Sequence, residues 1–514
     1  MKKYIIPVLA LLTVGCTKDF KDFNTNPYGA TDEQLSRIPQ GGNELVALQK
    51  LVVPQQENSY QMCFDLPATP YAGYASQPKF QADYPVYNPR TGWTDYVFDD
   101  TYTKHLYPAY FALKSYSKGD MSKYYFAWGT VLRVAITHWL TDSYGPLPYS
   151  QMEAGKTQTP YDKQSDLYKY MAEDLKAAIN TLKAVDASDR QYADFDLVYK
   201  GDMTKWVKYA NSLLLRMAIR MSDVDETNAK AYAQFALTNG VITENADNAM
   251  LENKDNAAFK VAVSWGDSRA GADIVAYMNA FSDPRREAYF TEVTGLSQKY
   301  IGLRSGLTGI TVDPALFSAP KITKESPMVW ITASEVAFIK AEMALKGWTF
   351  VGDTSENLYK KGIELSFAQH NVAIGSYLSN TSVRGAYTDP RQNAYNNPTF
   401  SSAITVKWNS SDSNEVKLSK IITQKWIAMY PYNSHEAWAE WRRTGYPNLM
   451  APVENRSNGV ITSVTQVNGK DTGGMRRLPF SSKETTNNPT NRNTAVGYLG
   501  GADNGATDLW WVKK

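Results

Sequence analysis

Residues 203–222, MTKWVKYANSLLLRMAIRMS, place Trp206, Ala210, Leu213, Leu214, Met217 and Met221 at intervals of three and four. On a 3.6-residue repeat these positions form one apolar stripe, which requires an amphipathic helix with a buried face. A second helical pattern runs from Thr227 to Thr238 and stops at Asn239-Gly240. The same order recurs in ITASEVAFIKAEMALKGW, residues 331–348. There Val336, Ile339 and Met343 share a stripe beside Ala337, Ala341 and Ala344, and Gly347 ends it. Ser355 to His370 then keeps Tyr359, Ile363 and Phe367 in register. Further helical patterns run near 101–116, 121–141, 163–184 and 424–443. Helices joined two by two through short turns must bury their stripes against one another, and the small alanines let neighbouring axes approach closely.

This pairing predicts a mainly α fold. The hairpins resemble a tetratricopeptide-like scaffold, although no clean repeat of about 34 residues survives. Strand signals are few, and the weak alternation from Ser402 to Trp408 predicts a small hairpin. Residues 67–100 and 445–514 are rich in Gly, Pro, Asn and Thr and predict a large irregular, loop-rich part. Loops of that length are functional or disordered, and the first is too aromatic for disorder.

The amino end, MKKYIIPVLALLTVGCTKDF, carries an apolar run from Tyr4 to Val14 behind Lys2 and Lys3. The run is shorter than the roughly 20 residues needed to cross a membrane and has the length of a signal-peptide core. Gly15 directly before Cys16 resembles a lipobox, with Cys16 as the lipidated first residue after cleavage; Thr13 stands where that pattern favours Leu. The alternative is a plain secretory signal with an incidental Cys16. Acyl chains contribute about 0.8 kcal/mol per buried CH₂, so a lipidated Cys16 would hold the rest of the chain to a membrane. The expected organisation is a leader over 1–15, a lipid-anchored tether over 16–40 and a single domain over 41–514. The formal net charge of +2 resides in Lys2 and Lys3, so the remainder is neutral and offers no bulk attraction for nucleic acid or anionic lipid. With Cys16 acylated, Cys63 is the only other cysteine, which leaves no disulfide framework and no cysteine metal site.

Catalytic signatures are absent from the sequence. QMEAGKTQ, residues 151–158, lacks the upstream glycine of a phosphate-binding loop, because position 150 is Ser150. His105, His138, His370 and His435 show no metal-ligand spacing, and no GxSxG elbow occurs. No cofactor is expected. With 52 acidic residues a glycosidase-like carboxylate pair can always be proposed, so spacing alone gives it no weight. The unusual number is 34 Tyr and 13 Trp, flat apolar rings with a polar handle. They concentrate in PKFQADYPVYNPRTGWTDYVF, residues 78–98. The prolines and glycine of this stretch argue against a helix and predict an irregular loop presenting Trp93, Tyr84, Tyr87 and Tyr96, with Asp83 and Arg90 between them. Rings stack on sugar C–H faces while carboxylate and guanidinium groups take hydroxyls. The competing reading folds these rings back as a satellite core. A second candidate is VSWGDSRAGADI, residues 263–274, with Trp265 and Arg269 among glycines.

Several stretches together resemble the SusD/RagB-type lipoproteins. They are TDSYGPLPYS (141–150), FSDPRREAYF (281–290), SPMVWITASEVAFIKAEMALKGW (326–348), ITQKWIAMYPYNSHEAWAEWRRTGYPNL (422–449), RRLPFSSKETTNNPTN (476–491) and GGADNGATDLWW (500–511). Thr17-Lys18-Asp19 also resembles the surface-export signal of Bacteroidetes lipoproteins. The family's Gly-Asp-x-Pro turn appears in altered form at Tyr144-Gly145-Pro146-Leu147-Pro148. The resemblance implies an outward-facing outer-membrane lipoprotein with a helical scaffold, which captures oligosaccharides or peptides for a SusC-like TonB-dependent barrel. It implies a binding protein rather than an enzyme such as a surface glycosidase. It assigns Trp426, Trp438, Trp441, Arg442 and Arg443 to the fold and carries no ligand contact over residue by residue.

Overall fold

A computed structural model of the chain describes residues 39–513. The expected leader, the anchor Cys16 and nearly all of the tether lie outside the described residues.

The scaffold consists of ten helices, and the sequence pattern predicted most of them. They are α1 (Gly42–Val52), α2 (Tyr107–Ser117), α3 (Tyr124–Tyr144), α4 (Gln164–Lys183), α5 (Met203–Met221), α6 (Glu226–Asn239), α7 (Ala333–Leu345), α8 (Ser355–Gln369), α9 (Asn414–Ala428) and α10 (Ser434–Thr444). α3 packs with α4, α5 with α6, and α7 with α8; α4–α5, α5–α7 and α7–α9 contacts join the hairpins into one array. The starts are capped as the sequence dictates. Asp202 accepts from the amides of Thr204 and Lys205, and Thr332 accepts from that of Glu335. α6 ends on Gly240 at φ 93°, which a side chain rarely adopts. The stripe of α5 is fully internal: Trp206, Ala210, Leu213, Leu214, Met217 and Met221 are all buried.

Three expectations are corrected. The pattern over 424–443 is two helices, because Pro431 lacks the amide that a continuous helix needs and the chain turns between Ala428 and Ser434. Ser402–Trp408 is not a hairpin; Ser402 makes an isolated bridge to Arg384. Within 78–98, Thr91–Tyr96 is helical, since Pro85 and Pro89 precede the helix and Gly92 projects into open space. The ordered strands are short antiparallel pairs: β1 (Ala75–Ser76) with β3 (Arg269–Ala270), β2 (Ala249–Leu251) with β4 (Met328–Ile331), and β5 (Thr465–Val467) with β6 (Lys470–Thr472).

The helix array closes on a buried charge network. Arg220 on α5 is fully buried and reaches Asp142 of α3 at 3.2 Å, Glu436 of α10 at 2.6 Å, and Glu440 of α10. Lys425 of α9 sits 3.1 Å from both Glu436 and Glu440. Arg443 pairs with Glu342 of α7 at 2.7 Å and with Glu440 at 2.9 Å. Arg216 pairs with Glu335 at 2.7 Å. Trp426, Trp438 and Trp441 are buried around this network, and Arg442 lies 3.7 Å over the Trp438 ring. Although burial alone would raise the Glu436 carboxyl, Arg220, Lys425 and Arg216 together hold it down at about 2.

Removing the central cation leaves Asp142, Glu436 and Glu440 buried together, with Lys425 and Arg443 still against the two glutamates but no arginine joining Asp142 to them. Arg220→Met is therefore expected to destabilise the fold by about 3–5 kcal/mol at neutral pH, measured by chemical denaturation. A loss under about 1 kcal/mol would show that the network does not hold the helices together.

Candidate functional site

The two loops that the sequence singles out separately meet in space. β1 runs antiparallel to β3, with Ala75 opposite Ala270 and Ser76 opposite Arg269, so residues 77–83 lie alongside 265–268. Lys79 reaches Asp267 at 2.5 Å and donates to the Trp265 carbonyl at 3.3 Å. Gln61 Nε2 donates to the other Asp267 oxygen at 3.0 Å. The next residue, Phe80, sets its ring edge-on to Trp93 with centroids 5.5 Å apart. Residues 79 and 80 therefore link Trp265 to Trp93.

Three π-helical turns surround this place: Gln61–Asp65, Val97–Leu106 and Lys260–Ser264. The first packs against the second, and the helical turn Ala257–Phe259 leading into the third packs against the first. A π turn carries one extra residue relative to an α turn and redirects the side chains on either side of it; such turns are frequent at functional sites. Here Tyr96 immediately precedes one and Trp265 immediately follows another.

The predicted residues divide into three groups. Tyr84 and Tyr87 are buried in the core and are not presented on the loop surface as the sequence predicts. The chain folds back through the bonds Val86 N to Asp83 O and Tyr87 N to Tyr84 O, which drives both rings against Tyr71 at 6.3 and 6.1 Å. Asp83 is buried and occupied: Arg90 donates to both its oxygens, at 2.8 and 3.1 Å. The Arg90 guanidinium also lies 4.3 Å over Trp93 and covers that ring. Arg269 is a loop clamp, donating from Nε to the Pro314 carbonyl at 2.7 Å and from Nη1 to the carbonyls of Ala262 and Ser268. Trp265 and Tyr96 remain as half-buried rings on which no other ring or cation lies among the described residues. The Tyr96 hydroxyl stands 3.1 Å from Ser59 Oγ, which donates to Asp100 at 2.9 Å.

Sequence reasoning ranks Trp93 above Trp265, whereas in the structure Arg90 lies over Trp93 and no ring or cation lies on Trp265 among the described residues. It missed Ser59 and Gln61 altogether, and their segment, ENSYQMCFD, carries no signal that could have found them. The arrangement offers ring faces for stacking, and an amide, an ammonium, hydroxyls and carboxylates for hydrogen bonding. Beneath it lies Asp65, whose carboxyl is pushed up to about 7 by burial. Hydrogen bonds from Ser268 and Gln77 oppose that rise, and nearby Asp267 adds to it. No group of three metal-ligating side chains forms among the described residues, and no described helix is long and apolar enough to cross a membrane.

The family model described as "SusD-like: Susd and RagB outer membrane lipoprotein" matches residues 22–512. A SusD homologue from Bacteroides thetaiotaomicron is 36% identical with a TM-score of 0.84, over 92% of this chain and 99% of that one. A SusD homologue from Bacteroides uniformis is 36% identical at a TM-score of 0.84, over 93% and 100%. A chitin-binding SusD homologue from Flavobacterium johnsoniae is 31% identical at a TM-score of 0.84, over 92% and 99%. Among curated protein sequences none matches the chain.

The raised Asp65 has a stability consequence with a definite sign. An unfolded carboxyl titrates near 3.8 and the folded one at about 7, so stability is full below 3.8 and falls as pH rises towards 7. Asp65→Asn is expected to flatten that fall, so that its melting temperature gains on the wild type from pH 4 to pH 7. A pH-independent difference would contradict it.

Proposed function

The chain belongs to the SusD-like family of SusD and RagB outer-membrane lipoproteins, and from that premise we propose that it captures oligosaccharides at the cell surface. In this reading Cys16 carries the lipid anchor, the domain faces outward, and the captured glycan passes to a SusC-like TonB-dependent barrel. The barrel partner rests on family membership alone.

The observation that supports capture is that the Lys79–Phe80 step brings the Trp93 and Trp265 segments together, with Tyr96 held to the neighbouring Ser59. A glycan presents C–H faces ringed by hydroxyls. Trp265 is a partly buried ring on which no other ring or cation lies among the described residues, and its segment carries Asp267 with Gln61 and Lys79, which can donate to or accept from hydroxyls. In this reading the site holds and releases its ligand, which suits modest affinity. The chitin-binding relative lends this reading a precedent within the same fold.

Trp265→Ala is expected to weaken oligosaccharide binding by about tenfold or more in calorimetry, and Trp93→Ala by less, because its ring already carries Arg90. Circular dichroism and the melting temperature report whether either variant also loosens the fold, since both rings are partly buried against the core. Unchanged affinity in both variants would remove the site. Binding of peptides but no glycan would redirect the reading to a peptide-capturing member of the family, and release of shorter sugars would redirect it to a glycan-degrading enzyme.

A further inference from the structure

We propose that this site takes an uncharged saccharide and discriminates against acidic glycans such as uronic-acid oligomers. The inference rests on the capture reading above and names the substrate class of the same surface.

Three cations have their charged groups against the Trp93 and Trp265 segments. Arg90 is engaged by Asp83 through two parallel hydrogen bonds at 2.8 and 3.1 Å. Lys79 is paired with Asp267 at 2.5 Å, and Gln61 holds the second Asp267 oxygen at 3.0 Å. Arg269 directs Nε and Nη1 at the carbonyls of Pro314, Ala262 and Ser268. A ligand carboxylate arriving at Arg90 or Lys79 meets a cation that already has a carboxylate partner, and one arriving at Arg269 meets a guanidinium whose Nε and Nη1 are held by backbone carbonyls. It must either displace Asp83 or Asp267, leaving a poorly solvated carboxylate behind, or sit beside them and be repelled. Asp100, next to Tyr96 through Ser59, adds a further acidic group at the edge. Hydroxyls and acetamido groups face neither penalty. They can accept from the outward hydrogens of Lys79 and Arg90, whose side chains are each 58% exposed, and donate to Asp267 without disturbing either pair.

The test titrates the intact chain in detergent with three probes of equal length: a neutral hexose oligomer, a chito-oligosaccharide and an oligogalacturonide, each at low and high ionic strength. At least one neutral probe is expected to bind at least about tenfold more tightly than the acidic one, with an affinity almost independent of salt. Asp267→Asn, which frees Lys79, is expected to raise affinity for the oligogalacturonide by about tenfold at low salt, and the gain should shrink at high salt. Asp83→Asn provides the same test through Arg90 if Asp267→Asn does not fold. Equal or tighter binding of the acidic probe by the wild type overturns the substrate class but leaves glycan capture standing. Binding of no saccharide overturns both.

Discussion

Arg220 at the centre of the helix array is the interaction on which the rest depends. Its guanidinium holds carboxylates from α3 and α10 at once, while Lys425 from α9 reaches both glutamates of α10 and Arg443 ties Glu440 to Glu342 of α7. Charges of this kind are costly to bury and are tolerated only where partners arrive in register. Each helix can meet the network in one axial position, so the cluster fixes how α3, α5, α7, α9 and α10 sit together. Apolar stripes alone would allow sliding by a turn.

From that anchor the order reaches the site through a few buried bonds. His435, one residue before Glu436, contacts the Cys63 carbonyl at 2.7 Å and Ser143 at 3.1 Å. Burial keeps its ring neutral, down at about 3, so it serves as a hydrogen-bonding pin and not as a charge. Trp426 donates to the Ala72 carbonyl at 2.7 Å, and Tyr74 donates back to the Trp426 carbonyl. Those contacts fasten residues 63–74 to the scaffold, and these residues lead directly into β1 and Lys79. On the far side Gln81 accepts from the amides of Gly306 and Leu307, and Tyr144 donates to the Thr94 carbonyl at the turn that carries Trp93. The irregular half is thus held by side chains bonding to backbone. Regular secondary structure plays little part there, which leaves the rings preorganised without a sheet beneath them.

The helical scaffold was legible because its evidence is periodic. Trp206 to Met221 and Val336 to Met343 announce their faces by spacing alone, and Gly240 and Gly347 announce their ends. The site was half legible. Composition located both aromatic loops, but no local rule could pair them, because β1 and β3 are two residues each and carry no strand pattern. Ring type was visible while ring environment was not. Tyr84 and Tyr87 share the chemistry of Tyr96, yet the fold-back at Asp83–Tyr87 sends them inward. Trp93 looked like the stronger platform until the Arg90–Asp83 pair was seen lying across it. The π turns are invisible in sequence, since each is too short to establish an apolar period of its own.

These links run from a buried charge cluster to a surface on which Lys79 and Arg90 are already paired with carboxylates and Trp265 carries no other ring or cation among the described residues. The most direct measurement is a crystal structure of the chain with a bound neutral oligosaccharide. The account predicts a sugar ring stacked on Trp265, with hydroxyls within hydrogen-bond distance of Gln61, Lys79 or Asp267 and the Arg90–Asp83 pair intact. A sugar bound elsewhere on the surface, with Trp265 untouched, would contradict it.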